Sequence, residues 1–196
     1  LKSSNLVKDI YLLVTEDTEV PLQGCRILHV PALNSTATMR IIAAHSDADY
    51  TLFYTKYTTL KLGMFALERM TRIAEDSVAG MVYADHYQVS EGIQKNAPVI
   101  DYQFGSLRDD FNFGSVLLYK ASALQEAVTR MKTDYQFAGL YDLRLKLSQK
   151  ESLVHINEYL YSEIENDTRK SGEKIFDYVD PKNRGVQIEM EQACTE

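Results

Sequence analysis

Short apolar runs alternate with amphipathic segments along most of this chain, and that alternation restricts it to a sheet with helices packed on its faces. Residues 7–14, VKDIYLLV, form a compact apolar run ending in the acidic stretch 15–19, which predicts a buried strand inside the sheet followed by a loop. Residues 26–30 predict a second short strand. With Asn34 or Ser35 as cap, residues 35–45 place Met39, Ile42 and Ala43 at helical spacing. Residues 50–54, YTLFY, are strand-like. Between 63 and 76, Ala66, Leu67, Met70, Ile73 and Ala74 make the apolar stripe of a helix lying on a sheet.

The same rhythm continues. Residues 79–84 predict a strand that ends at Asp85, His86 and Tyr87, residues 98–114 an irregular segment, and residues 115–119 another strand. Ser122 with Gln125 forms a capping-box pattern, and Leu124, Val128 and Met131 give the following helix its buried face. A third helix is expected over 138–148 with Leu140, Leu143 and Leu147 inward, and a last strand over 153–156. Residues 163–182 are polar without a clear period, and 184–196 read as a terminal helix. No internal repeat breaks the pattern, so the expectation is one mixed α/β domain over residues 1–160 and a polar extension over 161–196.

Composition narrows the partners. The 21 Lys and Arg against 28 Asp and Glu give a net charge of −7, which argues against a nucleic-acid-binding surface, because phosphate neutralisation needs clustered positive charge. An anionic ligand would have to meet a local basic pocket. Cys25 and Cys194 form no disulfide framework, and neither a signal peptide nor a transmembrane run of about 20 apolar residues is visible. The expectation is a cytoplasmic protein with free thiols. The triplets at Asn34 and Asn166 fit the glycosylation pattern, but such triplets arise often by chance.

Four stretches, in their order, resemble the bacterial family-two glycosyltransferases, inverting enzymes of the GT-A fold that move a sugar from a nucleotide diphosphate to an acceptor hydroxyl. DIYLLV at 9–14 is similar to the family's second strand. ADYTLF at 48–53 followed by GMFALER at 63–69 resembles the strand and helix around its DxD motif. VYAD at 82–85 resembles the strand after that helix, and FGSVLLY at 113–119 through YDLRLKL at 141–147 resembles the acceptor-side half. The resemblance covers residues 5–160 and implies a Rossmann-like mixed sheet flanked by helices. It also implies a nucleotide sugar and a carbohydrate acceptor as partners. The family's first strand would precede Leu1, so the chain is expected to be a fragment or to have lost that strand.

The departures from the family pattern bear on chemistry. Where the family carries two carboxylates for the ribose and for a divalent metal (Mn or Mg), this chain has Thr55 and Tyr57, so the ion's usual ligands are absent and no metal site is expected. Lys56, or Arg169 and Lys170, could supply the positive charge that a departing diphosphate needs. The alternative is an exposed loop lysine, with Tyr57 as packing. The family's catalytic Glu-Asp pair aligns with Gly139 and Leu140. Asp142 is the nearest substitute base; its alternative role is an i,i+4 pair with Lys146 on the helix surface.

Asp85 stands at a strand end, where it would contact the donor or cap a turn. Asp17 and Arg40 are further donor-side candidates by position, and both could equally be surface charges. Arg108, Asp109 and Asp110, beside Phe111 and Phe113, lie where the resemblance places the acceptor; the alternative is a solvated loop. Two readings therefore stand: a glycosyltransferase working without a DxD-held metal, or a catalytically inactive GT-A-like module that binds a carbohydrate or a protein. A sugar nucleotidyltransferase is disfavoured because no Gly-rich phosphate loop occurs.

Overall fold

The computed structural model describes residues 4–15, 23–165 and 184–196. Two short strands, β1 (Tyr11–Val14) and β2 (Arg26–His29), pair in parallel with each other and with no other strand among the described residues. Contrary to the sequence expectation, β1 is thus not inside the main sheet, and Leu12 is exposed. The main sheet contains β3 (Tyr50–Tyr54), β4 (Thr59–Leu62), β5 (Met81–Ser90), β6 (Ile93–Ala97), β7 (Val116–Lys120) and β8 (Leu153–Ile164). Its spatial order is β3-β7-β5-β8-β4, with β6 folded back on the far end of β5.

Directions within this sheet are mixed. β7 runs antiparallel to β3 and to β5, β8 runs parallel to β5, and β4 runs antiparallel to β8. It follows that β3, β5 and β8 all point the same way. Tyr54, the last residue of β3, is level with Val116, one residue along β7 from the Leu117 that pairs with Tyr83. β5 and β8 run on past that level, and their register shifts at Ala84/Asp85 and again at Asp85/His86. Bulges of this kind bend a strand and re-aim its side chains; here they curl the sheet where the carboxyl end of β3 stops.

Alternation along β5 sorts the two cores. Met81 and Tyr83 pack with α1 (Thr36–Ala44), α3 (Ala121–Thr129), α4 (Gly139–Ser148) and α5 (Arg184–Thr195), while Val82 and Ala84 pack under α2 (Ala66–Ser77) with Met70, Ala74 and Ile156. This two-residue periodicity puts helices on both faces of the sheet. Capping follows the sequence at α1, where the Ser35 side chain accepts from Thr38 N. It departs from it at α3, whose cap is Lys120 with no side-chain bond; Gln125 instead donates to Ala43 O and Ser46 O and ties α3 to α1.

The sequence also under-reads the strands. β5 extends six residues beyond Ala84 and turns back into β6 through Glu91 and Gly92, whose φ values of 52° and 76° suit the tight primed hairpin turn. β8 runs to Ile164, through the 160/161 boundary expected between domain and extension. No helix among the described residues is long and apolar enough to cross a membrane.

Candidate functional site

The carboxyl end of β3 and the register shift midway along β5 and β8 meet at one level of the sheet, and there the side chains divide by face. His86 points to the α2 side, its ring stacked on Tyr161 at 5.0 Å with planes 5° apart. Two residues along β8, Glu163 lies on the same face; its Oε1 is 3.4 Å from His86 Nε2 and its Oε2 is 3.7 Å from Lys56 Nζ. The side chains of His86 and Glu163 are 4% and 5% exposed, whereas Lys56 is half exposed. A buried carboxylate between an ammonium and an imidazole is a charge arrangement rather than a packing one.

Two polar atoms of this cluster, His86 Nδ1 and Glu163 Oε1, are buried without a hydrogen-bond partner. Burial holds the His86 imidazole below its ordinary value, with Glu163 pulling the other way and Lys56 adding to the depression. Gly114, at φ 75°, borders the cluster: a Cβ there would lie 2.4 Å from the Tyr161 hydroxyl and 3.6 Å from His86 Nδ1. The Tyr161 hydroxyl in turn accepts from Ser115 N at 2.8 Å and Val116 N at 3.3 Å, pinning the start of β7. Thr55 N donates to Ser115 O at 3.0 Å, which fixes the backbone immediately before Lys56.

Asp85 points to the opposite face, as adjacent strand residues must. Its Oδ1 accepts from Val99 N at 2.8 Å and lies 3.0 Å from His155 Nε2; His155 Nδ1 lies 2.6 Å from Asp101 Oδ1. His155 also stacks on Tyr83, whose hydroxyl donates to Ile100 O and accepts from Tyr102 N. Burial pushes the Tyr83 phenol up to about 12. Together these bonds clamp the irregular segment after β6 onto β5. Asp85 and His86 therefore serve two separate clusters and do not share one ligand.

The remaining sequence candidates fall in several places. Tyr57 is 92% exposed and packs on little. Arg40 forms an ion pair with Asp134 and donates to Met131 O at 3.3 Å, linking α1 to the loop before α4. Arg108 pairs with Asp110 at 3.2 Å in an exposed turn that also holds Asp109. Phe111 and Phe113 lie with ring centroids 4.4 Å apart and planes tilted by 44° beside that turn, Phe113 buried under the Arg144 guanidinium. Asp17, Arg169 and Lys170 lie outside the described residues.

Asp142 does pair with Lys146, at 3.4 Å, but in the interior and not on the helix surface. The aspartate is fully buried, neither oxygen has a hydrogen-bond partner, and burial raises its carboxyl above the usual range. In this arrangement no acceptor hydroxyl can reach it. Gly139, which stands where the resemblance puts the catalytic Glu, has its own explanation. A Cβ there would lie 2.2 Å from Thr36 N and 2.3 Å from Ser35 C, so the start of α4 fits against the start of α1 only without a side chain.

Sequence reasoning missed Tyr161 and Glu163 because β8 was read as ending at residue 156. Alternation at 159–163 was the available signal, since it puts Tyr161 and Glu163 on one face. His155 and Asp101 are 54 residues apart and only the fold joins them. Among the described residues, no three His, Cys, Asp or Glu side chains group as a metal site, and Thr55 and Tyr57 bring no carboxylate to the end of β3. The donor set at this end does not fit a divalent ion. Comparison of the chain with known protein families and with curated proteins finds no match.

Proposed function

We propose that this chain is a glycosyltransferase-like domain of the GT-A type, which binds a nucleotide-diphosphate sugar at the carboxyl end of β3, beside the middle of β5. The observation that carries this reading is Lys56. Its half-exposed ammonium sits where β3 ends, beside polar side chains from β5 and β8 that lack full hydrogen bonding. Crevices at the carboxyl ends of strands are where open α/β sheets take their ligands. An ammonium there meets a diphosphate by charge alone and needs no ion. The acceptor would lie near Arg108, Asp109 and Asp110, where the partly exposed Phe111 ring offers a surface on which a sugar can stack.

Transfer, in this reading, is an inverting displacement in which the acceptor hydroxyl attacks the sugar carbon as the diphosphate leaves. A specific observation favours the alternative of a module that binds a carbohydrate or a protein without turnover. Asp142 is sealed inside and Gly139 admits no side chain, so neither position offers a base to the acceptor. A calorimetric panel of nucleotide sugars, with and without manganese, tests the binding reading. At least one is expected to bind equally well in both conditions. Failure of every nucleotide to bind sinks the reading, and strict dependence on manganese refutes the role given to Lys56.

A further inference from the structure

Lys56 is not a free cation. Its nearest opposite charge is Glu163, 3.7 Å away and buried on β8, and the other oxygen of that carboxylate faces His86 at 3.4 Å. A phosphate group approaching Lys56 has to compete with this internal anion. We propose that Glu163 is a built-in counterion which a diphosphate must displace from Lys56, and that His86 takes up a proton as the displacement occurs. The proposal rests on the reading of Lys56 as the diphosphate's cation.

The physical reason lies in what is left behind. Once Lys56 turns to the phosphates, Glu163 is a buried carboxylate without its ammonium, and a buried unpaired charge is costly. The cheapest remedy within reach is protonation of the ring 3.4 Å away. That ring now resists protonation because it is buried and because Lys56 repels a second positive charge. Withdrawal of Lys56 towards a ligand removes the repulsion and leaves the attraction of Glu163.

The other ionisable groups around the pair reinforce the direction. Asp85, next along β5, favours a charged His86. The phenols of Tyr161 and Tyr54 both feel the Glu163 charge and stay protonated, their values raised by burial. His86 Nδ1 is buried beside Gly114 without a hydrogen-bond partner, so the uptake answers the Glu163 charge on the Nε2 side of the ring.

The test uses the full chain and magnesium-free inorganic pyrophosphate, titrated by calorimetry near pH 7 in two buffers of different ionisation enthalpy. Because pyrophosphate itself exchanges a proton in this range, the quantity compared is the difference from His86→Phe: the wild-type protein is expected to take up a measurable fraction of a proton more than that variant on binding. Glu163→Gln removes the competing charge at nearly constant shape. It should bind pyrophosphate about tenfold more tightly at pH 7.5 with the proton uptake lost, as removal of a like charge several ångströms from the ligand implies. Proton exchange equal in the wild type and His86→Phe overturns the counterion role even if Glu163→Gln does not fold. So does a Glu163→Gln protein with unchanged affinity. Failure of pyrophosphate to bind at all instead removes the diphosphate reading of Lys56 on which the proposal stands.

Discussion

Replacing Gly139 by alanine tests why the start of α4 carries no side chain. The added Cβ would lie 2.2 Å from Thr36 N, 2.3 Å from Ser35 C and 2.7 Å from Asn34 O. All three are backbone atoms, so no side-chain rotation relieves the contact and α4 must shift against α1. Overpacking of a tight interior costs typically 1–3 kcal/mol, and about 3 is the appropriate end for a clash with backbone. Alanine returns at most about 1 kcal/mol of helix propensity relative to glycine. The net loss is about 2 kcal/mol, which for a domain of this size lowers the melting temperature by roughly 4–8 °C.

Gly185→Ala is the control, because it makes the same chemical change in α5, where nothing lies within 4 Å of the new atom. Thermal unfolding followed by circular dichroism should show a clear drop for Gly139→Ala and no drop for Gly185→Ala. Gly139→Glu, which places there the acid that the resemblance implies, should be less stable still. A Gly139→Ala protein melting within a degree of the wild type would refute the steric account.

Lys146→Met should cost about 3 kcal/mol by urea denaturation, since it strands the buried Asp142 carboxylate, while the double change Asp142→Leu with Lys146→Met should recover most of that loss. Two pH dependences of opposite sign are expected. Burial depresses His86, so the unfolded chain binds the proton more readily, and stability should fall as pH drops below the ordinary histidine value of about 6.5. His86→Phe should remove that slope. Burial raises Asp142, so its contribution is fully present at low pH and is lost as pH rises through the elevated value; Asp142→Asn should flatten that limb of the stability profile.

Much of the scaffold was legible in the sequence because it depends on local periodicity. The stripe Ala66, Met70 and Ala74 is buried under the sheet in α2 as its spacing requires, and Ser35 caps α1 as its side chain allows. What failed were features decided at a distance. β5 and β8 outrun their apolar runs because each supplies hydrogen bonds to the other and to β6 and β4, so polar residues such as Gln88 and Glu163 become strand. The candidate site suffered most from this. Lys56, Asp85 and His86 were visible at strand ends, but Tyr161 and Glu163 join them only through the parallel pairing of β5 with β8. Asp142 illustrates the opposite error: a pair at i,i+4 says nothing about which face of its helix is buried, and α5 packs over this one, with Glu196 3.9 Å from Lys146.

The central claim is that the chain holds a diphosphate through Lys56. Lys56→Gln keeps the length of a half-exposed side chain and removes its charge; stability should fall, because the buried Glu163 carboxylate loses its ammonium. Calorimetric titration of wild type and variant with the tightest-binding nucleotide sugar, in the absence of divalent metal, tests the claim most directly. The expected result, measured below the melting temperature of both proteins, is at least about tenfold weaker binding, the loss of one charge-assisted contact to phosphate. Equal affinities for the two proteins would contradict it.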